Sequence, residues 1–212
     1  MRVTNTLLLF AGLALCQAWR SAAADVILET PLPRTNAPAL SAELRHDSGE
    51  GIMDSDWVYI SAGTNRYAFL APAGMRLDGA GENRIVLRNE DLSCVLSVRV
   101  LDVPFGEEVN SQYARQILQA EHSNASVVGE RGACANGRPG PALDAEWYGP
   151  AGALKCERVA LIPCHSKVLE FATVCSRESF GKGQRYLSTV MLTFRASDAN
   201  GKLTIVHLSN KL

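Results

Sequence analysis

The sequence predicts an α+β domain, a single antiparallel β-sheet covered by two main amphipathic helices. Three observations carry this. Short β-prone segments follow one another closely in the first half of the chain. The hydrophobic period then turns helical twice, over residues 107–122 and 183–195. Finally, 47% hydrophobic against 20% charged residues sustains a packed core and excludes global disorder.

The first 24 residues read as a removable export signal. Arg2 supplies the positive start, residues 7–16 (LLLFAGLALC) an apolar run, and Ala22, Ala23 and Ala24 the small residues a signal peptidase requires. The run is too short to cross a bilayer, which takes about 20 apolar residues. Lipidation at Cys16 is disfavoured, because Leu15 stands where a lipobox wants a small residue. Cleavage would remove Arg2 and Arg20 and no acidic residue, making the mature chain slightly more acidic than the net −1 of the whole sequence. That charge lacks the basic footprint of a nucleic-acid binder. No later segment is long and apolar enough for a transmembrane helix, so an exported, periplasmic or secreted domain is expected.

Residues 25–55 hold Pro31, Pro33, Pro38, Gly49 and Gly51 among small and charged residues. They read as a flexible leader with one transient helical turn over residues 40–45. His46, Asp47, Asp54 and Asp56 in this stretch read as solvated linker rather than a metal site. The folded α+β domain is expected over residues 56–212. Residues 57–60 (WVYI), 66–71 (RYAFLA), 83–89 (NRIVLRN) and 93–102 (SCVLSVRVLD) are strand-like and suggest an antiparallel meander. The first helix places Val109, Tyr113, Ile117 and Glu121 on one stripe, with Ala114 and Leu118 beside it. Glu107 and Glu108 suit its positive end. Strands over 126–133 and 141–148 follow, and then a hairpin of 154–163 and 167–176 turning at His165 and Ser166. In the second helix Tyr186, Leu187, Val190, Met191 and Phe194 form a strong amphipathic stripe. Residues 202–208 close the chain as a last strand.

Five cysteines follow the signal: Cys94, Cys134, Cys156, Cys164 and Cys175. None stands in a CxxC pair, which excludes zinc-ribbon and thioredoxin-type sites. An exported chain meets an oxidising compartment, so disulfides are permitted. A turn between Cys164 and Lys167 sets Cys156 directly opposite Cys175, the candidate disulfide. The bridge needs Cβ atoms about 3.8 Å apart, which only a narrow, non-hydrogen-bonded pair supplies. The alternative is two buried free thiols. Cys94 with Cys134 is a second pairing, leaving Cys164 over.

No catalytic, cofactor or metal residue is assigned. Cys164 beside His165 suggests a nucleophile and base, but adjacent side chains in a tight turn diverge. Ser179 has Arg177 where a nucleophile elbow requires glycine. Gly79 and Gly81 lack the third glycine of a dinucleotide loop, and Gly181-Lys182 is followed by glycine, unlike a P-loop. Asp144 and Glu146 share one strand face, where two carboxylates could act as an acid/base pair; a solvated edge is the simpler reading. The aromatic residues Trp57, Tyr59, Tyr67, Phe69, Trp147 and Tyr148 are expected mainly in the core.

Residues 66–79 (RYAFLAPAGMRLDG), the strand SCVLSVRVLD with the following EEVNSQYARQIL helix, and the late hairpin with a helix ending in MLTFR together resemble the PsbP-like superfamily of small exported domains, which includes DcrB-type proteins. The likeness extends over residues 57–212. It implies an antiparallel sheet with helices on its faces, an α/β/α sandwich, and a short second strand after the first. It also implies a non-enzymatic accessory or binding domain acting on a protein partner or an envelope component, and it transfers no catalytic residue. A small-ligand carrier, and a thiol or hydrolase-type enzyme using Cys164 or the Asp144/Glu146 face, are the other readings.

Overall fold

The computed structural model describes residues 40–49, 52–81, 83–91, 93–102, 108–149, 152–198 and 200–204. The expected signal and the first part of the expected leader lie outside them.

Eleven strands and two helices are present among the described residues. The strands are β1 (Leu40–Gly49), β2 (Ile52–Ala62), β3 (Asn65–Leu70), β4 (Met75–Ala80), β5 (Arg84–Asn89), β6 (Cys94–Asp102), β7 (Ser126–Ala135), β8 (Arg138–Tyr148), β9 (Leu154–Cys164), β10 (Lys167–Ser176) and β11 (Arg195–Ala196); the helices are α1 (Ser111–Glu121) and α2 (Phe180–Thr193). They form two antiparallel sheets rather than one. The larger has seven strands in the order β4-β5-β6-β10-β9-β8-β7, and the smaller has four, β1-β2-β3-β11.

The second sheet corrects the expected leader. Residues 40–55 belong largely to the β1–β2 hairpin, in which Ala42 pairs with Ile60 and Leu44 with Val58. Leu40, Ala42 and Leu44 alternate with Ser41, Glu43 and Arg45, the period-two pattern of a strand, where a helical turn had been expected. The residues that looked like a linker are thus an outer strand of a sheet, and the folded unit begins before residue 56.

The seven-stranded sheet has apolar groups on both faces, and each face has its own cover. One face carries Ile85, Leu87, Leu96, Val98, Phe171 and Ile162. It shares a core with Val58, Ile60 and Phe69 of the small sheet, with Leu187 and Val190 of α2, and with Phe194 just after the helix. The other face carries Leu143, Val159, Leu161, Val168 and Ala172 and packs against Ala114 of α1, with Val109, Tyr113 and Ile117 beside it. Alternation of the strand side chains produces the two faces, so one strand feeds both cores.

Local signals fix the element ends. The β7–β8 hairpin turns on Asn136 and Gly137, whose φ values of 50° and 72° are those of a primed two-residue turn. The β9–β10 hairpin pairs Cys164 with Lys167 and Cys156 with Cys175, the register expected from the sequence. Helix α1 starts later than expected because Asn110 caps it, its side chain accepting from Tyr113 N at 3.0 Å. Helix α2 starts earlier, at Phe180. The strand expected over 202–208 is not seen in residues 202–204, and the rest of it lies outside the described residues. The last described strand is instead the short β11, paired with β3.

Candidate functional site

Three places bring chemistry-bearing side chains together. The first is the pair of adjacent residues at the β9–β10 turn. Cys164 is fully buried and His165 is exposed, with φ of 56°. The imidazole Nε2 lies 3.0 Å from Ser197 O, so the ring engages the chain after β11 and not the thiol. Burial also pushes the Cys164 thiol up, away from the thiolate form that a nucleophile needs.

The second place is the face of β8 that carries Asp144 and Glu146. Both carboxylates do share this face, but each is held by arginine. Asp144 is buried and takes a bidentate pair from Arg158, at 2.6 and 2.8 Å, with Arg131 at 3.0 Å. Glu146 is partly exposed and faces Arg177 at 3.5 Å and the Cys156 thiol at 3.8 Å. A carboxylate gripped bidentately by a guanidinium is a structural anion rather than a proton shuttle.

The third lies under the C-terminal end of α1, and the sequence reading missed it. Arg84, Arg99 and Glu170 stand side by side on β5, β6 and β10. Arg99 and Glu170 are almost completely buried and bonded to each other, and Glu121 of α1 reaches down to both Arg99 and Arg84. Next to it His122 stacks on Trp147 at 3.8 Å between ring centres, and the His122 Nε2 lies 3.3 Å from Glu157. Trp147 donates its indole N–H to the same carboxylate at 2.9 Å. A signal for this cluster was present. Arg99 and Glu170 are lone opposite charges inside otherwise apolar strand sequences, and a buried charge requires a partner.

Glu121, His122 and Glu157 have ligand atoms within 4.8 Å of one another, the spacing of a metal site. The donors are already engaged, however. Glu121 neutralises two guanidinium groups, and Glu157 serves Trp147 and His122. A cation would have to displace them. The arrangement does tie the helix end to four strands, β5 and β6 through Glu121 and β8 and β9 through His122, and it orients α1 on the sheet.

Two open surfaces remain. A hollow of about 660 Å³ lies on the small sheet, bordered by Ser41, Glu43, Arg45, Tyr59, Arg66 and Leu203. A cleft of about 250 Å³ runs between α2 and the β7 side of the large sheet, lined by Arg131, Cys134, Leu187, Met191 and Leu192 among others. Here β7 is the outermost strand, paired among the described residues with β8 alone. Its two charged side chains turn back on the molecule, Glu130 to Arg115 of α1 at 2.8 Å and Arg131 to Asp144. Val128 occupies the bulge of the strand and is 58% exposed; Leu192 on α2 is 76% exposed. No described helix is long and apolar enough to cross a membrane.

No family model matches the sequence, and no curated protein matches it. Solved structures do resemble the fold. The cyanobacterial PsbP of Synechocystis is 11% identical, with a TM-score of 0.44 over 78% of this chain and 97% of that one. The Ran-binding protein Mog1p of Saccharomyces cerevisiae is 10% identical, with a TM-score of 0.45 over 74% and 95%. LpqN of Mycobacterium tuberculosis, a protein involved in cell envelope biogenesis, is 13% identical, with a TM-score of 0.42 over 75% and 92%. Likenesses of this degree carry no inference about family, binding or chemistry.

Proposed function

We propose that this is an exported, non-enzymatic binding domain that captures an extended segment of a protein partner along the open edge of β7, beside α2. One observation carries the reading. The outer edge of the seven-stranded sheet has no strand beyond it among the described residues, and its two charged side chains are engaged within the chain by Arg115 and Asp144. Edge strands offer a row of backbone donors and acceptors to an added strand, and proteins that do not use them shorten them, cover them, bulge them or set charges on them. Residues 129–135, beyond the bulge at Val128, give the regular stretch on which a strand can add. Val128 and Leu192 offer apolar anchors on either side, and the cleft under α2 receives a side chain.

The test uses the exported protein as bait in an envelope fraction. Wild type should recover a protein partner, and the double variant Val128→Lys, Leu192→Asp should lose it at least tenfold. Both positions are exposed, so the unfolding free energy should change by no more than about 0.5 kcal/mol per site. Recovery of one small molecule and no protein would sink the reading. It would favour a carrier role, for which the 660 Å³ hollow with Arg45, Arg66 and Tyr59 on its rim is the ligand-sized space.

A further inference from the structure

We propose that Cys94 and Cys175 are a cross-strand disulfide site, closed while the chain folds, and that Cys156 beside them stays a thiol. The three residues form a row across adjacent strands: Cys94 on β6 faces Cys175 on β10, and Cys175 faces Cys156 on β9. All three are buried on the face that α2 covers, and all are free thiols in this structure. Two bridges therefore compete for Cys175, and the backbone decides between them.

A residue in an antiparallel strand points its N–H and C=O toward one neighbouring strand only. A central residue thus makes a wide, hydrogen-bonded pair on one side and a narrow, non-hydrogen-bonded pair on the other, with Cα separations of about 5.5 and 4.5 Å. The amide of Cys94 donates to Asn89 Oδ1 at 2.9 Å, at the end of β5. Val100, which shares its parity on β6, donates its amide to Asn83 O at 3.0 Å, again on the β5 side. The backbone of Cys94 is therefore turned away from β10, and Cys94 with Cys175 is the narrow pair. It follows that Cys175 turns its backbone to β9, and Cys175 with Cys156 is the wide pair. A disulfide needs Cβ atoms about 3.8 Å apart, which favours the narrow pair. The register read from the sequence does set Cys156 opposite Cys175; the proposal moves the bonding partner of Cys175 from β9 to β6. Cys134, in β7, is four strands from β6, which is about 19 Å at ordinary strand spacing and excludes it as the partner of Cys94.

Local contacts agree. The Cys175 thiol, pushed up to about 12 by burial, has the Cys94 thiol as a hydrogen-bonding neighbour, whereas the Cys156 thiol turns toward Glu146 at 3.8 Å. Helix α2 closes over the pair. Its Gly183 lies so close to Cys175 Sγ and Thr173 Oγ1 that a methyl group there would collide with both, and Cys94 Sγ lies 3.7 Å from Ser179 O at the start of the helix.

The chemistry is thiol–disulfide exchange with an external disulfide. One thiolate attacks it and expels a thiol, forming a mixed disulfide. The second thiolate then attacks that bond and expels the other thiol. The Sγ–Sγ bond forms, two protons leave the cysteines, and the two electrons reduce the external disulfide to two thiols. Exchange needs a thiolate and access, and the packed α2 removes both. The bond should form before α2 settles on the sheet, and later resist reductant.

The test is refolding of the reduced full chain with oxidised glutathione, followed by peptide mapping without reduction. Wild type and Cys156→Ala should both yield one linked pair, the peptides of Cys94 and Cys175. Cys94→Ala should yield no intramolecular link, and its urea midpoint should be the same with and without dithiothreitol, while that of wild type should fall. A wild-type link between Cys156 and Cys175, or wild type refolded with every thiol free, would overturn the proposal.

Discussion

Arg99 joins α1, β6 and β10 through Glu121 and Glu170. Burial drives the Glu170 carboxyl upward, and the adjacent guanidinium opposes this. Breaking a buried pair leaves an uncompensated charge, which typically costs about 3–5 kcal/mol. Arg99→Met should lose stability in that range in urea unfolding, and adding Glu170→Leu should recover more than half. If the double variant is no better than the single, the pair is not the source of the loss. In the connection between β5 and β6, Asp91 is exposed yet its carboxyl is lowered to about 2, by the Ser93 hydroxyl and amide first and Lys182 of α2 after them. An unfolded aspartate titrates near about 3.9. Its contribution to stability is therefore complete above that value and disappears as the pH falls through about 2. Carboxyl resonances followed by NMR should show this midpoint, and Ser93→Ala should raise it more than Lys182→Ala does. These residues were partly legible. A lone charge in an apolar strand signals a buried pair, but its partner is far away in sequence, Arg99 and Glu170 being 71 residues apart. Only the sheet order identifies it.

Among the elements, α2 was readable because its apolar stripe is long and regular, and Leu187, Val190, Met191 and Phe194 are buried as the periodicity required. What periodicity could not give is how closely the helix lies on the sheet. Gly183 records it. In an ordinary helix Gly→Ala is a gain of about 0.8–1 kcal/mol. Here the added methyl meets Cys175 and Thr173, so Gly183→Ala should destabilise by about 1–3 kcal/mol, as overpacking does. Thermal unfolding checks the sign, and a gain in stability would show that α2 sits further from the sheet than described. The hairpins were read well where turn chemistry is local, as in the two-residue loop that sets Cys164 against Lys167. The β1–β2 hairpin was not, although Leu40, Ala42 and Leu44 alternate. The prolines before it and the glycines at its turn dominated the local composition, and a strand with one polar face resembles a linker until its partner is known.

For the whole molecule, the sequence foretold antiparallel strands and two covering helices, and it missed that the strands divide between two sheets. Division depends on which strands pair across long separations. β11 joins β3, and β6 joins β10, and neither pairing leaves a mark in local pattern. The proposed binding surface was out of reach for the same reason, since an edge is a property of strand order. Nothing in residues 126–135 announces that β7 is last in its sheet, or that Glu130 and Arg131 are spent on contacts inside the chain.

The most direct measurement is a photo-crosslinking scan of the two outer strands of the large sheet in intact cells. A photoreactive residue is placed in turn at positions 128, 130, 132 and 134 of β7 and at positions 76, 78 and 80 of β4. The edge-capture account predicts protein adducts at several β7 positions, since an added strand runs along the whole edge, and none at β4. Adducts at β4 instead, equal adducts at both edges, or none at β7 would contradict it.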